Sequence, residues 1–353
     1  MNRRELFRRS ATAALAAVLP KWTVGQMPAN ADDGGLRTVN PQFREYLRKA
    51  LANPSPSAEL NNTTLAAMRA IMSANPVPPR IAPGVMEQSI PCSDPNRLIR
   101  IFVIGAAPGE RKPLLLHMHG GGYVGGTPLA DLAALQTIAT EHNCVVVTVE
   151  YRLAPETKYM GSLEDNYAAL RWVHFHAKTL GIDTHRIALK GESAGGGHAA
   201  ALAFAVRDRK EFQLVQQILI YPMLDDRTGS TVHVSPPLGQ YAWTEQMNRF
   251  GWSSLLGVAA GSARVPANAV PARELDVTGL PPTFIGVGSI DLFATEDVAF
   301  AAKLLAAGVP VEMALVPGAY HGFDIAVPEA PLSVAFRAVW NAALGRAFTP
   351  VAL

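Results

Sequence analysis

From residue 98 onward, short apolar runs alternate with segments of helical period, and this order constrains the fold more than any other feature. Residues 98–104, 113–117, 144–149, 186–190, 215–221, 283–287 and 311–316 read as strands. Residues 129–142, 163–180, 194–209, 296–307 and 332–348 read as helices between or after them. The run 144–149 is nearly all β-branched, as a strand covered on both faces should be. Such alternation predicts an α/β fold, a mostly parallel central sheet with helices on both faces.

Two segments break the alternation. Residues 41–51 and 57–72 place apolar side chains at three- and four-residue steps and are separated by Asn53-Pro54-Ser55-Pro56. Two helices with no strand suggest a helical lid over residues 32–80, appended to a catalytic unit spanning 81–353. Residues 224–272 lack strand character, carry Trp243 and Trp252, and are expected to form a second lid segment. No internal repeat is present.

The formal charge of +2 is unevenly placed. Arg3, Arg4, Arg8, Arg9 and Lys21 stand against one acid, Glu5, in residues 1–31. The rest holds 26 basic and 28 acidic side chains, a balance of −2. A basic stretch, a weakly apolar Ala-rich run over 11–19 ended by Pro20, and Ala29-Asn30-Ala31 before Asp32 have the layout of a signal peptide. The Arg3-Arg4 pair followed by Leu6-Phe7 resembles the twin-arginine motif. Export to the periplasm or beyond, with cleavage after Ala31, is the expectation.

Composition excludes several classes. At 49% hydrophobic and 17% charged residues, the chain is not of the disordered type. A balance near zero offers no footprint for nucleic acid. No run approaches ~18 consecutive apolar residues, so no membrane span is expected and no stable membrane insertion after processing. Cys92 and Cys144 cannot make a disulfide framework; one bridge would suit an exported chain, and two buried thiols are the simpler reading. A homodimer is compatible with the sequence, and nothing in it demands one.

The residues that carry chemistry sit at strand ends. Gly191-Glu192-Ser193-Ala194-Gly195 fits G-x-S-x-G between a predicted strand and helix, the context in which a sharp turn lifts the serine above the sheet edge. The helix that follows aims free N–H groups at the same point. His119-Gly120-Gly121-Gly122 follows the strand 113–117. The amides of Gly121 and Gly122, with that of Ala194, could converge on a developing oxyanion, and His119 itself is expected to orient the loop. Neither G-x-x-x-x-G-K-[ST] nor G-x-G-x-x-G with an acidic partner occurs, so no nucleotide is expected. Of nine histidines, His321 is the best placed for a general base, in a loop directly after the strand 311–316. Asp291, after the strand 283–287, is the acid candidate; Glu296, Asp297, Asp225 and Asp226 are rivals.

Taken together, these residues resemble the hormone-sensitive-lipase group of α/β-hydrolases, the bacterial family IV esterases. The matching runs are H-G-G-G at His119 to Gly122, G-E-S-A-G-G at Gly191 to Gly196, and Y-R-L-A-P-E at Tyr151 to Glu156, with Asp291 and Tyr320-His321-Gly322-Phe323. The resemblance covers roughly residues 80–350. It implies an α/β-hydrolase fold with a helical lid and a small-molecule ester as substrate. It also implies a Ser193–Asp291–His321 triad, an oxyanion hole of Gly121, Gly122 and Ala194, and no metal or organic cofactor. The chain departs from the family pattern at Glu192, at the run after Asp291 and at Lys158-Tyr159-Met160, and these departures bear on substrate more than on reaction. Tyr123, Leu224, Tyr241, Trp243 and Trp252 are candidates for lining a pocket for short to medium acyl chains. A lactonase, an amidase or a carbamate hydrolase would use the same triad, and a non-catalytic binding protein could share the fold.

Overall fold

The computed structural model describes residues 33–53, 59–74 and 78–349. The expected export segment, residues 1–31, lies outside the described residues.

Eight strands form one sheet: β1 (Val85–Pro91), β2 (Leu98–Ile104), β3 (Lys112–Met118), β4 (Val145–Glu150), β5 (Ile182–Glu192), β6 (Gln216–Ile220), β7 (Thr283–Gly288) and β8 (Val311–Val316). Their spatial order is β1-β2-β4-β3-β5-β6-β7-β8. β2 runs antiparallel to both neighbours, and β3 to β8 run parallel. The helices are α1 (Pro41–Ala52), α2 (Leu65–Met72), α3 (Leu132–Glu141), α4 (Tyr159–Phe175), α5 (Ala177–Leu180), α6 (Ala194–Arg209), α7 (Glu245–Leu256), α8 (Ala294–Ala306), α9 (Phe323–Ala326) and α10 (Pro331–Phe348). No helix among the described residues is long and apolar enough to cross a membrane.

The central strands are apolar on both sides because both sides are covered. In β3, Leu114, Leu116 and Met118 join the cluster that includes α4 and α6, while Leu115 joins the one that includes α3 and α10. β4 divides in the same way, Val145, Val147 and Val149 against Val146. The β-branched run is the chemical consequence of a sheet with no solvent-facing side. Cys144 is buried on the α3 side, Cys92 is half-buried, and neither is bonded to another thiol.

Two differences from the sequence reading have simple causes. Strand β1 was not expected: V-M-E-Q-S-I-P carries no apolar run, and only Ile90 is fully buried. It is held by antiparallel pairing with β2 from Val85↔Ile104 to Pro91↔Leu98, an interaction that side-chain pattern does not encode. The helix expected over 163–180 begins four residues earlier, at Tyr159, and breaks at His176 into α4 and α5.

The two segments expected as lids are seated on the body. Helix α1 buries Phe43 and Leu47 on the α10 side, where Phe43 meets the rings of Tyr320 and Phe323. Helix α2 buries Leu65 and Met68 in the opposite cluster, beside Tyr123 and Val124. In the 224–272 segment, α7 buries Trp252 and Leu255 against that same cluster.

Candidate active site

One residue, Ser193, separates the end of β5 from the start of α6. Its φ of 55° and ψ of −121° place it in a region that side chains rarely adopt. Three backbone bonds hold it there: Ser193 N–H donates to the Ile220 carbonyl (2.8 Å), and its own carbonyl accepts from Met223 (3.0 Å) and Gly197 (3.1 Å). The glycines of the motif are steric necessities. A Cβ on Gly191 would sit 2.1 Å from the Gly195 carbonyl oxygen, and one on Gly195 would sit 2.0 Å from that of Met118.

The loop after β8 carries His321, and the turn after β7 carries Asp291. His321 Nε2 lies 3.0 Å from Ser193 Oγ, and Nδ1 lies 2.9 Å from Asp291 Oδ2. A carboxylate can only accept, so Nδ1 carries the proton and Nε2 is left to accept from the serine hydroxyl. The other Asp291 oxygen accepts from the Phe293 amide at 3.0 Å. All three side chains are buried. The imidazole is flanked by Tyr221, edge-on at 4.8 Å, by Phe293 at 5.1 Å and by Trp243 at 6.3 Å.

Three of the four rival acids are engaged elsewhere, and none bonds to His321. Glu296 Oε1 accepts from the Leu224 and Asp225 amides at 2.8 and 3.1 Å. Asp225 pairs with Arg227 and Asp226 with Arg273. Asp297 is fully buried, neither of its oxygens has a partner, and burial pushes its carboxyl well above the usual range.

The glycine loop lies against the serine turn. A Cβ on Gly120 would meet the Glu192 carbonyl at 3.1 Å and the Ser193 Cβ at 3.6 Å. Gly121 has φ +131°, and its carbonyl accepts from Val124 (3.1 Å) and Gly125 (2.9 Å), which closes the loop on itself. Ala194 is the first residue of α6, where backbone N–H groups have no partner within the helix.

The residues expected around the pocket are not one group. Trp243 stands at the site: its ring occupies the space a Cβ on Gly122 would need, 2.1 Å from Cη2, and it faces His321. Tyr123 is buried just behind, donating to the Met223 carbonyl at 2.9 Å. Trp252 packs on Tyr123 from the far side at 4.9 Å. Leu224 is fully buried with its amide on Glu296. Tyr241 joins the opposite cluster, donating to the Gly35 carbonyl at 2.6 Å.

His119 is held as a structural group. It stacks on Tyr151 at 4.3 Å, its Nδ1 donates to the Gly120 carbonyl at 2.8 Å, and the Tyr151 hydroxyl donates to its carbonyl at 2.6 Å. Sequence reasoning missed the polar group beneath the serine turn. His117 Nε2 reaches Glu192 Oε2 at 2.8 Å, His117 Nδ1 reaches the Thr148 hydroxyl at 2.9 Å, and Lys190 pairs with Glu192 while lying over Trp340. The register that sets His117 beside Thr148 and Lys190 is a property of the sheet, and only Glu192 had drawn attention as a departure.

Burial lowers three imidazoles here, His117 to about 3, His119 to about 4 and His198 to about 3. All three are neutral in the fold, whereas an unfolded chain takes up their protons below about pH 6.5. Their contribution to stability is complete above that pH and is lost as pH falls toward the folded values. At pH 5 the three together should cost about 6 kcal/mol relative to pH 7. Urea unfolding at both pH values measures this, and His198→Gln should remove about a third of the difference.

A family model described as alpha/beta hydrolase fold matches residues 115–325. This chain belongs to the α/β-hydrolase family. The matched span contains the glycine loop, the serine turn, Asp291 and His321, so the hormone-sensitive-lipase-like resemblance drawn from those motifs holds. The hydrolase is similar to carboxylesterase NlhH of Mycobacterium tuberculosis, 36% identical over 63% of this chain and 70% of the relative. It is also similar to esterase LipI of the same organism, 34% identical over 64% and 70%. Among solved structures, a bacterial heroin esterase superposes with a TM-score of 0.76 at 33% identity, covering 89% of the hydrolase and 99% of that chain.

Proposed function

We propose that this hydrolase cleaves carboxylic esters by two-step acyl transfer. The observation that carries the reading is the continuous relay from Ser193 Oγ through His321 to Asp291, at 3.0 and 2.9 Å. Ser193 Oγ attacks the ester carbonyl carbon and its proton passes to His321 Nε2. The carbonyl oxygen becomes an oxyanion on the amides of Gly121, Gly122 and Ala194. The carbon–oxygen bond to the alcohol breaks, and His321 returns the proton to the departing oxygen. Water then attacks the acyl-enzyme, His321 takes its proton, and collapse restores the serine and frees the acid. Asp291 holds Nδ1–H throughout and stabilises the transient imidazolium. Every group required is a side chain or backbone amide of this chain.

The relatives' names support an ester as the substrate class. The apolar rings of Trp243 and Phe293 beside His321 favour an uncharged acyl group of short to medium length. Intact-mass analysis after treatment with a fluorophosphonate, followed by peptide mapping, tests the nucleophile. One adduct on Ser193 is expected; an unmodified protein overturns the reading. Nitrophenyl esters from acetate to palmitate test the pocket, and kcat/KM is expected to be highest for acyl chains shorter than decanoate.

A further inference from the structure

We infer that Arg69, on helix α2, is a positioning residue for the oxyanion loop, so that the N-terminal helical segment acts as a brace and not as a detachable lid. The inference rests on the ester-hydrolysis reading above.

The Arg69 guanidinium makes four hydrogen bonds to three residues in two chain segments. Nε donates to the Val124 carbonyl at 2.7 Å, at the far end of the glycine loop. One terminal nitrogen donates to the Ala154 carbonyl at 2.8 Å. Both terminal nitrogens meet the Glu156 carboxylate at 2.7 Å, a bidentate pair. Ala154 in turn donates its own N–H to the Tyr123 carbonyl at 2.9 Å. The consecutive carbonyls of Tyr123 and Val124 are therefore held from one side by Ala154 and Arg69 together.

One of the two held residues is strained. Tyr123 has φ 67°, in the left-handed region that a bulky residue leaves when it can. It follows Gly122 directly, so a relaxation at Tyr123 would turn the Gly122–Tyr123 peptide and, through the Gly122 Cα, disturb the adjacent peptide that carries the Gly122 amide. A second contact presses α2 on the same loop: a Cβ on Gly125 would lie 2.6 Å from Met72 Sδ. The preceding turn is tied as well, with Leu60 N–H and carbonyl paired to the Gln246 side chain on α7 at 3.3 and 2.7 Å. Helix α7 backs the loop from behind, since a Cβ on Gly251 would meet the Gly122 carbonyl at 2.6 Å. The Arg69–Glu156 pair stays ionised down to acidic pH, because Arg69 holds the Glu156 carboxyl low, at about 2. The brace is therefore constant across the working pH range and is not a switch.

The test compares Arg69→Met, Arg69→Lys and Ser193→Ala on nitrophenyl butyrate, with phosphorylation by diethyl nitrophenyl phosphate, which displaces nitrophenolate from phosphorus, as an independent readout of serine attack and oxyanion stabilisation. Displacing a stabilising group by about an ångström costs up to about 100-fold. Arg69→Met is therefore expected to lower kcat and the phosphorylation rate together by about 10- to 100-fold, with KM changed less than about threefold. Arg69→Lys keeps the charge but lacks the planar fork that spans three acceptors, and it is expected to lose at least about fivefold in kcat. Wild-type kcat in a folded Arg69→Met protein, with only a lowered melting temperature, would show a merely structural role and overturn the inference. Should Arg69→Met fail to fold, wild-type kcat in Arg69→Lys overturns it equally. Full turnover in Ser193→Ala would instead defeat the ester-hydrolysis reading and the inference with it.

Discussion

Ser193→Ala is expected to yield a folded protein whose kcat on a nitrophenyl ester is about 10⁴- to 10⁶-fold lower. Folding should survive because the serine turn is anchored by main-chain bonds to Ile220, Met223 and Gly197 and not by the hydroxyl. The lost oxygen is the only nucleophile 3.0 Å from His321 Nε2, and no second hydroxyl is bonded to that nitrogen among the described residues. What remains is binding and the oxyanion amides, which together can still exceed the uncatalysed rate by about 10³-fold. KM should change little, since the hydroxyl matters mainly in the transition state. Kinetics on purified wild type and variant, with melting curves to confirm the fold, decide the matter. Undiminished turnover would falsify the nucleophile assignment.

Asp291→Asn is expected to lower kcat by about 10⁴-fold at neutral pH with only a small loss of stability. The substitution preserves shape and leaves an oxygen to accept from the Phe293 amide. The atom facing His321 Nδ1 then becomes the amide nitrogen, a donor. The imidazole must move its proton to Nε2 to avoid two hydrogens meeting. In that tautomer Nε2 cannot accept from Ser193, although no distance in the site has changed. Glu296, the nearest rival in sequence, is committed to the Leu224 and Asp225 amides and does not meet His321. The ring proton can be followed by nitrogen chemical shifts of labelled histidine, alongside kcat. A variant within tenfold of wild type would show that another group orients the base.

Much of the fold was legible because burial on two faces writes itself into the chain. Strands β3 to β8 each carry an apolar stretch that enters the core, and α6 was read with its observed limits, Ala194–Arg209. Strand β1 was not legible, since its stability comes from backbone bonds to β2 at a sheet edge where side chains stay exposed. The site shows the same division. Its glycines were readable because atoms crowd the turn so closely that no Cβ fits. The pocket list mixed different roles, because Trp243, Trp252 and Tyr241 are alike in sequence and are sorted only by which cluster they enter.

The sequence by itself determined the doubly covered strands of the sheet, the serine turn and the types of residue required for an acyl transfer, because each depends on local sterics or on periodic burial. Tertiary structure alone decided which carboxylate meets His321, since four rivals lay within reach of a strand end and only the packing of β7 beside β8 selects Asp291. It also decided what Arg69 does. Its partners lie 55, 85 and 87 residues away along the chain, and only the docking of α2 brings a fixed donor fork to the end of the glycine loop.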